Sequence, residues 1–145
     1  MEPLDLRRQL PRGPRATLAG LMFMPRTIDK LRAEQPGGNM GPFLNRSDGL
    51  SAYLCRKIGI DMDELRLVVA SANDEAEIEA WLRERLDPAL IAEVNAKMEK
   101  LGTHRLTPEK FEEVKGYHPL LESRPDLQYF FDIFEADDPS ALRSV

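Results

Sequence analysis

Short apolar stretches at helical spacing, each opened by a capping residue, constrain this chain more than any other feature of its sequence. Asp61-Met62-Asp63-Glu64 is a variant capping box ahead of Leu65, Val68 and Val69, and Asp74-Glu75-Ala76-Glu77 repeats the device before Ile78, Trp81 and Leu82. Asp87-Pro88 sets a cap before a proline at the first helical position, where a missing N–H costs nothing. Leu90, Ile91, Val94, Met98 and Leu101 then form one stripe, stopped by Gly102. Thr107-Pro108 does the same for Phe111 and Val114, and Pro125 precedes a last helix with Leu127, Phe130, Phe131 and Phe134. Upstream, Ser47 or Asp48 caps a helix carrying Leu50, Tyr53, Leu54 and Ile58, with Gly59 closing it in the left-handed conformation. No segment sustains period-two alternation, so a sheet is not expected, and Asn39 to Leu44 pairs at most as a short strand. The expected fold is all-α: a single compact multi-helix domain.

The N-terminal third departs from this regularity. Pro11 and Pro14 push their preceding residues away from the helical region, which predicts an extended arm over residues 1–14. Leu18, Leu21, Met22, Ile28 and Leu31 nevertheless keep one helical face across Pro25, predicting a first helix from Arg15 to about Ala33, kinked at that proline. A glycine- and proline-rich loop follows at Pro36 to Pro42. The helical domain is expected over 15–136, and an acidic tail at Asp137-Asp138-Pro139 opens residues 137–145.

With 145 residues, 42% of them hydrophobic, the chain can bury a real core. No apolar run reaches the length of about 18 residues that a membrane span requires. No apolar core follows the charges of the first residues, so no signal peptide is expected there. The single cysteine, Cys55, cannot close an internal disulfide, which suits a reducing cytoplasm. Residues 1–35 hold seven Arg/Lys against four Asp/Glu (net +3), leaving thirteen against twenty-one in the remainder (net −8). Three net charges make too weak an arm for nucleic acid, which takes several phosphate contacts. A basic segment packed on an acidic body is the simpler expectation.

Chemistry is sparse. His104 and His118 lie fourteen positions apart without a neighbouring ligand, so no metal site is expected. Cys55 sits mid-helix beside Leu54, with Arg56 and Lys57 spaced onto other faces, and reads as a small buried hydrophobe. The loop at Pro36 to Pro42 lacks the Gly-Lys-Ser/Thr of a phosphate cradle, and no other cofactor loop is present. The remaining candidate is cationic. Arg26, Asp29 and Lys30 stand at i, i+3 and i+4, where Asp29 can pair with Arg26, and Arg12 and Arg15 join them if the arm folds back. Those five residues form either an anion or carboxylate pocket with bidentate arginine donors, or a salt-bridged network tying the arm down. Among the aromatics, Phe130, Phe134 and Leu127 match a core stripe, and Phe131 is the least predictable member.

The pattern Pro11-Arg-x-Pro-Arg15-x-x-Leu-x-Gly-Leu21, with Pro25-Arg26-x-Ile-Asp29-Lys30-x-Arg32-Ala33 after it, resembles a family of small bacterial proteins catalogued only as a domain of unknown function. The similarity continues through Pro36-Gly-Gly-Asn39, Gly49-Leu-Ser-Ala52, Ile58-Gly-Ile-Asp61 and Asp74-Glu75 to Trp81-Leu82. Many relatives in the family it resembles carry a Cys-Pro-Leu-Asp-like element after the glycine loop where this chain has Asn45-Arg-Ser-Asp48-Gly-Leu50, so no role of that cysteine carries over. The resemblance brings no activity, substrate or catalytic residue. Two functions stay open: a non-enzymatic module binding a protein partner or a second copy of itself, and a small-anion or carboxylate-ligand site built on Arg12, Arg15, Arg26, Asp29 and Lys30.

Overall fold

A computed structural model describes residues 1–43, 45 and 49–141. It is predominantly helical, as expected, but its first helix is not the kinked one predicted. A minimal antiparallel hairpin, β1 (Thr17–Leu18) and β2 (Leu21–Met22), occupies the first half of that segment, and helix α1 starts only at Met24 and runs to Glu34. The two turn residues, Ala19 and Gly20, have φ of 53° and 79°, the paired left-handed geometry of a tight hairpin turn. Phe23 follows at φ 71°, and the proline expected to bend a helix instead occupies its first turn. The apolar face was real; its residues point inward from a turn and a helix in succession.

Nine of the eleven residues of α1 are buried, so it is the central element. Around it stand α2 (Leu50–Ile58), α3 (Met62–Ser71), α4 (Glu75–Arg83) and α5 (Pro88–Lys100). Asp61, Asp74 and Asp87 each accept a hydrogen bond from a backbone N–H in the first turn of the helix they open, as predicted. Gly59 ends α2 at φ 72°. Ser47 and Asp48, the expected caps of α2, lie outside the described residues, and Gly49 is the residue preceding that helix. Leu31, Leu54, Leu65, Val69, Ile78, Leu82 and Met98 meet in one core with Phe23 and Phe131.

Asn95 of α5 pins the hairpin, accepting from Met22 N at 2.9 Å and donating to the Gly20 carbonyl at 2.8 Å. The arm is pinned as well: Leu6 N donates to Asn39 O and Asn39 N to Leu4 O, a single parallel bridge between Asp5 and Asn39 that buries Leu6 completely.

After α5 come a 3-10 turn at Thr103–Arg105, α6 (Pro108–Tyr117), a second 3-10 turn at Pro119–Glu122 and α7 (Phe130–Ala141). Gly102 does not end α5 by turning left-handed. It is extended and bridges to Tyr129, and a Cβ there would fall 2.3 Å from the Gln128 carbonyl. That bridge brings α7 back onto the core. Two further expectations change here. Phe131 and not Phe130 or Phe134 is fully buried, stacked on Phe23 with ring centroids 5.7 Å apart. Helix α7 also continues through Asp137-Asp138-Pro139, assigned above to a tail, because both acids are held by side chains from elsewhere in the fold.

Candidate functional site

The five residues of the predicted cluster divide between two environments. Asp29 does not pair with Arg26. Its carboxylate, only 7% exposed, accepts from Arg12 three times: from the backbone N–H at 2.8 Å, Nε at 3.1 Å and Nη2 at 3.0 Å. The same guanidinium reaches Glu75 in the first turn of α4, at 3.1 and 2.5 Å. Burial alone would depress Arg12, but its bonds to Glu75 and Asp29 outweigh that and raise its pKa. Arg12, Asp29 and Glu75 thus join the arm, α1 and α4, with both acids turned to one fork. Arg15 lies on the surface, with Asp132 at 3.0 Å and Glu135 at 2.5 Å, tying the segment before the hairpin to α7.

Arg26 and Lys30 face another way. Arg26 is 4% exposed and meets Asp138 of α7 bidentately, at 2.6 and 2.9 Å, while its Nη1 donates to the Arg12 carbonyl at 3.3 Å. Its guanidinium carbon lies 5.1 Å from the Phe134 ring centroid and 5.5 Å from that of Phe43. One helical turn on, Lys30 is 7% exposed, with Nζ 5.6 Å from the Phe23 ring centroid.

Both residues line a cavity of about 540 Å³ between α1, the start of α2, the turn after α6, and α7. Its walls are largely apolar, with Phe23, Phe43, Leu50, Leu120 and Phe134 prominent. Polar groups enter from two sides: Arg26 and Lys30 from α1, and His118, Asp137 and Asp138 from the C-terminal elements. His118 Nδ1 and Asp137 Oδ2 are 2.7 Å apart, and the imidazole packs against Phe134 at 5.4 Å. A carboxylate on one ring nitrogen fixes the orientation of the other. Burial, helped by the Arg26 charge, pushes the Lys30 ammonium down to about 7, with Glu34 and Asp138 acting in the opposite direction.

Of the predicted residues, therefore, Arg26 and Lys30 line the cavity, while Arg12, Arg15 and Asp29 do not. His118, Asp137 and Asp138 were missed as site residues. A histidine before a proline and two acids near a terminus carry no local signal, and only the return of α7 onto α1 brings them to Arg26 and Lys30. Cys55 is buried, and burial pushes its thiol up to about 11, which leaves little thiolate near neutrality. Among the described residues, no group of three His, Cys, Asp or Glu side chains is arranged to hold a metal ion. No helix among them is long and apolar enough to cross a membrane.

A family model for a domain of unknown function, DUF5069, matches residues 8–140, and the chain belongs to that family. The match spans the hairpin, every helix from α1 to α6 and nearly all of α7, and so covers both walls of the cavity. A search of curated proteins finds no relative.

Proposed function

We propose that this protein binds a small amphipathic molecule, with an apolar or aromatic body and a single carboxylate or comparable polar end, in the cavity between α1 and α7. The observation that supports this is the cavity lining, which sets aromatic and aliphatic walls against Lys30 and His118. Its volume is in the range of small-molecule sites, and few polar groups among apolar walls is their usual composition. Two acids, Asp137 and Asp138, stand among the lining cations, which disfavours polyphosphates and other multiply charged anions. The carboxylate-ligand role expected for five residues is thereby narrowed to Arg26 and Lys30, joined by His118. Arg12, Arg15 and Asp29 hold the scaffold.

A protein-docking module, the other expectation, has less in its favour. The large hydrophobic side chains exposed among the described residues, Leu67, Tyr117 and Tyr129, belong to α3, α6 and the segment before α7. A buried free thiol is compatible with a cytoplasmic setting. Thermal-shift titration with 4-methylbenzoate and with straight-chain carboxylates tests the ligand reading, since binding to the folded state alone raises Tm with concentration. A concentration-dependent rise in the parent protein, absent in Lys30→Met and Phe134→Ala, is expected. No rise with any carboxylate, together with a concentration-dependent dimer in light scattering, would favour the docking module instead.

A further inference from the structure

Resting on that cavity as a ligand site, we infer that Asp138 is an internal stand-in for the ligand's carboxylate: a bound carboxylate takes Arg26 from it and so releases the last turn of α7. The chemistry matches first of all. Asp138 grips Arg26 through both carboxylate oxygens, at 2.6 and 2.9 Å, and both residues line the cavity. A bidentate pair of this kind is open to any carboxylate, so a ligand acid in the cavity competes for a partner that the chain already supplies. Nor can Arg26 hold two acids as Arg12 does. The Arg12 side chain is 39% exposed, and water screens its two carboxylates from each other. The Arg26 side chain is 5% exposed and packs against the rings of Phe43 and Phe134. A second carboxylate there meets Asp138 with little screening, and the two repel. Asp138 cannot leave unaided either, because a buried guanidinium stripped of its acid is strongly destabilising. Replacing one carboxylate by another avoids both penalties.

The backbone under Asp138 is also built to let go. Pro139 lies inside α7 and has no N–H, so it leaves the Glu135 carbonyl without the hydrogen bond a helix would supply there. Side chains fasten this turn to the rest of the fold: Asp138 on Arg26, and Asp137 on His118, whose side chains are 22% and 20% exposed. Ser140 Oγ donates to the Asp137 carbonyl at 2.7 Å, a bond within the turn and not to the core. Loss of the buried pair leaves the two acids with the more exposed and weaker one. Binding and release are then coupled, and the coupling is reciprocal: whatever loosens the turn tightens the carboxylate.

Amide hydrogen exchange of the intact protein tests this, with 4-methylbenzoate as the carboxylate and 4-methylbenzamide as its neutral isostere. Saturating benzoate should speed exchange at Asp138, Ser140 and Ala141 while Phe131 and Ile133 stay protected, and the benzamide should leave the turn unchanged. Asp138→Asn should bind the benzoate about tenfold tighter than the parent protein, with no gain for the benzamide. Pro139→Ala, which returns an N–H to the Glu135 carbonyl and removes no charge, should bind the benzoate more weakly. Hydrogen exchange in the parent protein and the affinity of Pro139→Ala decide the matter even where Asp138→Asn does not fold. Benzoate binding with exchange at the last turn unchanged or slowed, or weaker binding to Asp138→Asn, would overturn the inference. If the benzoate raises Tm without freeing the turn, the displacement of Asp138 falls and the cavity reading stands. If it binds neither the parent protein nor the variants, both fall.

Discussion

Asp29 and Lys30 are neighbours on one helix, yet they belong to opposite kinds of structure. On the Asp29 side the charges meet within the chain, since the Arg12 fork bonds both Asp29 and Glu75 and also reaches the Pro25 carbonyl. On the Lys30 side a buried cation borders a cavity of about 540 Å³. A clamp whose charges close on one another thus stands beside a concavity whose paired charges, Arg26 with Asp138 and His118 with Asp137, form part of the wall. Charge density does not distinguish the two. What does is the space in front of the charges, which on the cavity side the described residues leave open to about 540 Å³.

Phe131 and Phe134 repeat the contrast on α7, and their truncation gives the largest expected effect. Phe131→Ala removes a fully buried ring stacked on Phe23 and should cost about 4 kcal/mol in chemical denaturation. Phe134→Ala, at the half-buried cavity wall, should cost about 1–2 kcal/mol and abolish the ligand-induced rise in Tm. Equal losses of stability would erase the distinction between the two positions.

The clamp comes next. Arg12→Ala strands a buried carboxylate and should destabilise by about 3 kcal/mol, whereas the double change Arg12→Met with Asp29→Leu should recover most of that. Urea midpoints of the three proteins decide it.

Lys30→Met sharpens the other side through its pH dependence. The folded pKa of about 7 lies below the ordinary 10.5, so between those values the unfolded chain binds the extra proton, and stability rises with pH across that window. Below about pH 7 the cost of holding a buried ammonium is present in full, and above about 10.5 it is gone. Replacing Lys30 should flatten this profile by about 2 kcal/mol between pH 6 and 9. A slope unchanged by the substitution would mean that Lys30 is charged in the fold throughout. The smallest effect is expected at Arg15→Ala, whose exposed pairs with Asp132 and Glu135 should be worth about 0.5–1 kcal/mol, with no effect on ligand binding.

Local chemistry in the sequence accounts for much of this architecture. The caps at Asp61, Asp74, Asp87 and Thr107 open the helices they predict, because a side-chain oxygen before an apolar stripe acts within a few residues. The hairpin was hidden for a related reason: two positive-φ residues in sequence, one of them alanine, have no strong signature, and the apolar spacing of Leu18, Leu21 and Met22 fits a helix equally well. The cavity was half legible. Arg26 and Lys30 stood out as a cationic pair at i and i+4, but their counterparts lie about 90 to 110 positions away on the chain. Spacing along one helix can announce which side chains share a face. It cannot announce that Asp138 claims Arg26 while Arg12 claims Asp29, since both pairings depend on where the arm and α7 return to α1.

The division between clamp and cavity is tested most directly by titrating 4-methylbenzoate into the isotopically labelled protein and following backbone amide resonances. Concentration-dependent shifts are expected at Phe43, His118, Leu120, Phe134 and Ser140, around the cavity, with Arg12, Gly13 and Glu75 unmoved. Shifts confined to Arg12, Gly13 and Glu75, or none at the cavity residues up to millimolar ligand, would contradict the assignment of the cavity as the binding site.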